Sequence, residues 1–107
     1  MRLLPVLFVC LLATGATAAA SAQQLPGGDL HNATLRVWSQ ASDANQFATT
    51  SDLVERILNL HDPIAVRPKA RQVQRCISRI ASDFQQGSQA VADTALACMA
   101  ELGLLGR

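Results

Sequence analysis

Residues 76–98, CISRIASDFQQGSQAVADTALAC, decide the fold. A cysteine stands at each end, and Gly87 lies 11 residues from both. Upstream, Ala70, Val73, Ile77, Ile80 and Phe84 follow spacings of 3, 4, 3 and 4. That rhythm marks a helix with one narrow apolar seam. Downstream, Val91, Ala92, Ala95, Leu96, Cys98, Met99 and Leu102 form a broader apolar face. The first helix is expected to start at Pro68, a residue suited to a first turn. It is expected to end at Gly87, since glycine accepts the left-handed conformation common past a helix terminus. Ser88 is then placed to cap the second helix. If the chain reverses at Gly87, both thiols fall at the same height on an antiparallel hairpin.

The azimuths agree. At about 100° per residue, Cys76 lies on one border of the Val73/Ile77/Ile80/Phe84 seam. Cys98 lies on the same-handed border of the Val91/Ala95/Leu102 face. Same-handed borders of an antiparallel pair share one side of the interface, so the sulfurs point toward each other. Alanines 92 and 95 permit the close backbone approach that a disulfide requires. A redox-active pair would want two thiols at a helix start in a Cys-x-x-Cys arrangement, which is missing. A metal site would want clustered histidines, also missing. The reading is a structural disulfide, contributing roughly 3 kcal/mol through the unfolded state.

Such a bridge needs an oxidising compartment, and the other end of the chain supplies a route to one. Met1-Arg2 is a short basic start, Leu3–Ala13 is apolar apart from Pro5, and Ala20-Ser21-Ala22 fits signal-peptidase cleavage before Gln23. The apolar run is about 11 residues, short of the ~20 that span a bilayer. An uncleaved N-terminal anchor is the competing reading. Cys10 follows Val9 in mid-run, which disfavours lipid modification, and it leaves with the signal. Residues 1–22 are thus read as a signal peptide, 23–28 as a flexible leader broken by Pro26-Gly27-Gly28, and 29–107 as one small helical domain. The 85 residues after cleavage exclude two-domain enzymes, Rossmann folds and barrels.

Between leader and hairpin the signals are weaker. Leu30, Ala33, Val37, Ala41, Ala44 and Ala48 recur at helical spacing, although Thr34–Trp38 also alternates like a strand. A lone strand has no partner here, so a weak helix over 29–48 is expected. Thr49-Thr50-Ser51 marks a boundary. A helix capped by Ser51 or Asp52 should follow, carrying Leu53, Val54, Ile57, Leu58 and Leu60 and stopping near His61 before Asp62-Pro63. Ile64–Val66 reads as an extended connector. The fold class is therefore all-α: a small three- or four-helix domain with a C-terminal antiparallel helical hairpin stapled by one disulfide, after a cleaved signal peptide.

The chain carries nine basic and eight acidic residues, and loss of Arg2 makes the formal balance zero. No global field favours nucleic acid or membrane. The distribution is uneven: Arg67, Lys69, Arg71, Arg75 and Arg79 fall within 13 residues without an acid among them. Arg67, Arg71, Arg75 and Arg79 are spaced by four, so they form one stripe, roughly opposite Ile77 and Ile80. The plain reading is a solvated helix face, with guanidinium groups answered by Asp52, Glu55 or Asp83. The functional reading is contact with an acidic protein, a phosphate-bearing surface or a sulfated glycan. No aromatics interleave with the stripe, which disfavours a single-stranded nucleic-acid platform, and no sequence-specific nucleic-acid motif is present.

Chemistry is thinly provided for. His61-Asp62 resembles half a catalytic relay, but sequence neighbours at a helix end commonly point apart, and Asp-Pro is a frequent turn pair. His31 is expected to be exposed near the leader. No phosphate loop, zinc box, nucleophile elbow or calcium loop occurs, and no cofactor is implied. Asn32-Ala33-Thr34 is an N-glycosylation triplet, meaningful only in a eukaryotic secretory pathway. Trp38 either covers the hairpin core or anchors a partner, as tryptophans at interfaces do. The sequence thus points to a secreted or periplasmic, non-enzymatic binding or accessory protein, with Arg67, Arg71, Arg75, Arg79 and Trp38 as candidate contacts. Two other readings stand beside it. One is a helical carrier of an apolar molecule enclosed by residues 53–60 and 91–102. The other is a minimal hydrolase using His61 and Asp62.

Overall fold

The computed structural model describes residues 27–106. The signal peptide, Cys10 and most of the leader lie outside these residues. Within them the chain is mostly helical and holds no strand: α1 spans Leu35–Gln40, α2 Asp43–Leu58, α3 Pro63–Ala81 and α4 Val91–Glu101, with a 3-10 turn at Phe84–Gln86 before α4. The Cys76–Cys98 disulfide joins α3 to α4 with the two Cα atoms 6.0 Å apart. Both cysteines are buried in the single hydrophobic core, among Leu35, Trp38, Val73, Ile77, Val91 and Met99.

Several expected boundaries move, each because a capping residue acts elsewhere. The weak helix over 29–48 is two helices. Ala41 is extended, and the Ser42 side chain accepts from Asn45 N–H to start α2. Leu35 and Trp38 turn inward, while Val37 is half exposed. Thr49, Thr50 and Ser51 are not a boundary. They lie inside α2, where Thr50 satisfies its buried hydroxyl on the Gln46 carbonyl at 2.7 Å. Asn59, left-handed at φ 56, closes α2.

Asp62-Pro63 both stops one helix and starts the next. The Asp62 side chain accepts from Ile64 N–H, and Pro63 occupies the first turn. Ile64–Val66 is therefore helical instead of an extended connector. Pro68 sits inside α3, and the carbonyl left without a donor belongs to Ile64, a residue at the surface.

The far end of α3 also differs. It stops at Ala81, where Ser82 donates its hydroxyl to the Arg79 carbonyl at 2.6 Å. Asp83 then caps the 3-10 turn. Phe84 leaves the predicted seam and is 86 % exposed. Gly87 is right-handed, at φ −58, and buried. Its role is close approach: a Cβ there would come within 2.8 Å of Arg36 Nη2. Ser88 does not cap α4. That start is served by main chain, with Val91 N–H donating to the Ala33 carbonyl at 2.9 Å. Leu35 and Arg36 N–H donate in return to the carbonyls of Gln89 and Gly87, at 2.8 and 3.0 Å. An isolated antiparallel bridge between Thr34 and Ala90 thus satisfies orphan amides of two helix starts at once. At the end of α4, Gly103 adopts φ +74, and Leu104 N–H reaches back to the Met99 carbonyl at 2.8 Å. This closes the helix and brings Leu104 onto the core.

The segment before α1 is strapped to α2. Asn45, Thr49 and Asp52 share one face of that helix. Asn45 exchanges two hydrogen bonds with Asp29, Thr49 Oγ1 accepts from Leu30 N–H at 3.1 Å, and Asp52 meets His31 Nε2 at 2.9 Å. Gly27 and Gly28 belong to this contact, since side chains there would overlap Asp52 and Thr49.

Candidate functional site

Nineteen residues of α3 carry the basic stripe, and amphipathicity sets how it faces. Val66, Ala70, Val73, Cys76 and Ile77 turn into the core, leaving Arg67, Arg75 and Arg79 exposed and Arg71 half buried. The four arginines are not equivalent.

Arg71 is engaged within the domain. Its Nη1 donates to Asp43 Oδ2 at 3.3 Å and to Gln74 Oε1 at 2.8 Å, and its guanidinium lies 4.0 Å from the centre of the Phe47 ring. Gln74, only 5 % exposed, continues the network. Its Nε2 donates to Asp43 Oδ1 at 2.9 Å and to Gln46 Oε1 at 3.3 Å. Gln46 in turn donates to the Trp38 carbonyl at 2.7 Å. Every polar atom of this buried amide is used, as burial demands.

The acids expected to answer the stripe are occupied elsewhere. Asp52 holds His31, Asp83 caps the 3-10 turn, and Glu55 shares a shallow depression with Arg67 without forming an ion pair. The acid that does answer is Asp43, one residue after the Ser42 cap, and the Ser42-Asp43 pair is the sequence signal for it. Among the described residues, Arg67, Arg75 and Arg79 have no carboxylate within ion-pairing distance. Arg79 Nη2 lies 3.7 Å from Cys76 Sγ, and Glu101 Oε1 lies 3.9 Å from the same sulfur, so both flank the staple.

Arg75 and Arg79 open onto a depression of about 660 Å³ between the start of α2 and the flank of α3. Asp43, Gln46, Gln74 and Ser78 complete its walls together with Arg71. It therefore presents the exposed Arg75 and Arg79 cations beside amide and hydroxyl groups, a lining that can receive an anion.

Trp38 corrects the expectation of a surface anchor. It is fully buried, and its indole N–H donates to Ser78 Oγ at 3.1 Å. Among the described residues the exposed aromatic is Phe84, which by periodicity belongs to the apolar seam. The Ser82-Asp83 pair, a stop followed by a cap, was the signal that could have released it. The apolar residues of 53–60 and 91–102 contribute Leu53, Val54, Val91, Ala95, Cys98 and Met99 to the common core.

His61 is exposed, and Asp62 spends its carboxylate on Ile64 N–H. His31 is half buried and paired with Asp52, contrary to the expected exposed position. Among the described residues, no three His, Cys, Asp or Glu side chains converge in a way that could hold a metal ion. No described helix is long and apolar enough to cross a membrane. No known protein family, curated protein or solved structure matches this chain.

Proposed function

We propose that the chain is a secreted, non-enzymatic binding or accessory protein that contacts an acidic or anionic partner through the outer face of α3. The disulfide and the signal-like residues 1–22 support an extracellular site of action, or the periplasm if the source is bacterial. The α3–α4 pair acts as a stapled antiparallel hairpin that holds the basic face rigid.

One observation carries this reading. Arg67, Arg75 and Arg79 stand exposed on a single helix face with no carboxylate within ion-pairing distance among the described residues, whereas Asp43 answers Arg71 alone. Like charges at i,i+4 repel by a few tenths of a kcal/mol per pair, and an external anion relieves that cost. Guanidinium groups also match carboxylate, phosphate and sulfate by paired hydrogen bonds.

The test is retention of the mature chain on immobilised polyglutamate and on a sulfated polysaccharide, eluted by a salt gradient. Retention on at least one matrix at low ionic strength is expected, with release well below about 1 M salt, where the screening length shrinks to roughly 3 Å. Arg67→Gln/Arg75→Gln/Arg79→Gln should abolish it without unfolding the domain. Retention that survives the triple substitution, or fails on both matrices for the wild type, refutes the assignment.

A further inference from the structure

We infer that the anionic partner is a short, extended acidic segment of another protein, bound lengthwise in a furrow along α3 with a large apolar side chain seated on Phe84. The inference rests on the reading that α3 contacts an anion, and it names the class of partner.

The furrow is built from three depressions that share walls. The basic one, with Arg75 and Arg79, has Gln46 and Ser78 in common with a middle depression of about 320 Å³ over Trp38. The middle one shares Ser39 and Ser82 with a third, of about 410 Å³, which also holds Arg36 and Phe84. The run of α3 from Arg75 to Ala81 is about 9 Å at 1.5 Å per residue, and Phe84 lies beyond it. At roughly 3.3 Å per residue, an extended peptide of about five residues covers the whole length.

Its chemistry changes along the way, and the change selects the occupant. One end offers Arg75 and Arg79, and the carboxylate that lines it, Asp43, is already held by Arg71 and Gln74. The middle carries no charge and presents Ser39, Ser78 and Ser82 hydroxyls with the Gln46 amide. The Gln46 amide is spent on Trp38 and Gln74, but Ser78, which accepts from Trp38, can still donate, and Ser82, which donates to Arg79, can still accept, as the C=O and N–H groups of an extended main chain require. A uniformly sulfated chain would set charges against that neutral stretch and gain nothing from it. At the far end Phe84 exposes 86 % of its surface beside Arg36. An aromatic next to an arginine is the composition of an interface hot spot, and an apolar side chain covers the ring.

The walls are fixed in advance. Backbone hydrogen bonds from Leu35 and Arg36 pin the start of α1, and Trp38 N–H fastens the α1 wall to Ser78 on the other side. A site that is already ordered loses little freedom on binding. Trp38 is the only tryptophan in the chain, and although buried it hydrogen-bonds the Ser78 hydroxyl that lines the furrow, so its emission responds to a ligand that engages Ser78.

The experiment uses the mature chain and three dye-labelled probes. These are a five-residue peptide with Leu at one end and Glu-Glu at the other, the same peptide with Gly for Leu, and a sulfated hexasaccharide. Anisotropy gives affinity, and Trp38 emission gives position. The Leu peptide should bind about tenfold tighter than the Gly peptide, equivalent to about 1.4 kcal/mol, and should perturb Trp38. Phe84→Ser, a change at an exposed side chain, should erase that preference while circular dichroism stays native. Arg75→Gln/Arg79→Gln should weaken both peptides. Equal affinity for the two peptides, or a Leu preference that survives Phe84→Ser, overturns the furrow. Tighter binding of the hexasaccharide with a Trp38 response overturns the peptide occupant but keeps the anion-contacting function. Peptide binding that survives Arg75→Gln/Arg79→Gln but is lost in Arg67→Gln moves the contact out of the furrow and overturns it. Failure of every anionic probe, with the fold intact, removes both.

Discussion

Opening the Cys76–Cys98 bridge should cost this domain much of its stability. The bridge closes a loop with a sequence separation of 22. The chain-entropy relation gives about 11 cal/mol/K for that loop, or about 3.4 kcal/mol at 25 °C. A domain of this size has roughly 4–12 kcal/mol in total. At about 4–8 °C per kcal/mol, the melting temperature should fall by roughly 14–27 °C. Urea unfolding followed by Trp38 emission measures the effect, because the indole is fully buried. Comparing oxidised with reduced wild type isolates the cross-link, since the sulfur atoms remain. Cys76→Ala/Cys98→Ala adds the packing lost at two buried positions and should be less stable still. The oxidised protein should also show the smaller urea slope, because its unfolded chain exposes less surface. The native sulfurs, being buried, should resist reductant until the domain opens. A difference below about 1 kcal/mol would refute the loop-closure reasoning. Two thiols titrating in native, unreduced protein would remove the bridge altogether.

Two further outcomes follow from the polar network under the basic face. Gln74→Ala should cost about 1–3 kcal/mol in urea unfolding, because Asp43, Gln46 and Arg71 each lose a partner; a loss within error of zero would mean that water replaces the amide. Arg71→Gln should lower stability by roughly 0.5–1 kcal/mol through the Asp43 pair and the Phe47 ring, whereas Arg75→Gln should stay within about 0.5 kcal/mol. The opposite order in thermal melts would contradict the division of labour along the stripe.

What was legible in the sequence was periodicity, and what was not was where each period is cut. Val73 and Ile77 face the core, the arginines at intervals of four face outward, and the two cysteines meet, because 3.6-residue geometry fixes all three. The cuts depend on single side chains that accept one hydrogen bond. Ser42, Asp62 and Asp83 each have several equivalent-looking neighbours, and only tertiary packing chooses among them. Asp62-Pro63 reads equally well as a stop and as a start, and the chain uses it as both. Phe84 fits the α3 seam by spacing, yet the helix ends three residues before it. The start of α4 has no side-chain cap at all. Its amide is served by the Ala33 carbonyl, a main-chain group that leaves no mark in composition. The candidate site inherits these limits: the stripe was visible, whereas Asp43 and Phe84 became visible only once the caps were placed.

The Thr34–Ala90 bridge ties the start of α1 to the start of α4 without any side chain taking part. Such a closure spans most of the domain, so its loop is entropically expensive and completes late in folding. The same bonds hold the first turn of α1 and the first turn of α4, so neither can fray alone. Because Arg36 N–H is held by the Gly87 carbonyl, the wall that carries Arg36 and the turn that follows Phe84 keep one register, and the far end of the furrow is shaped by main chain alone.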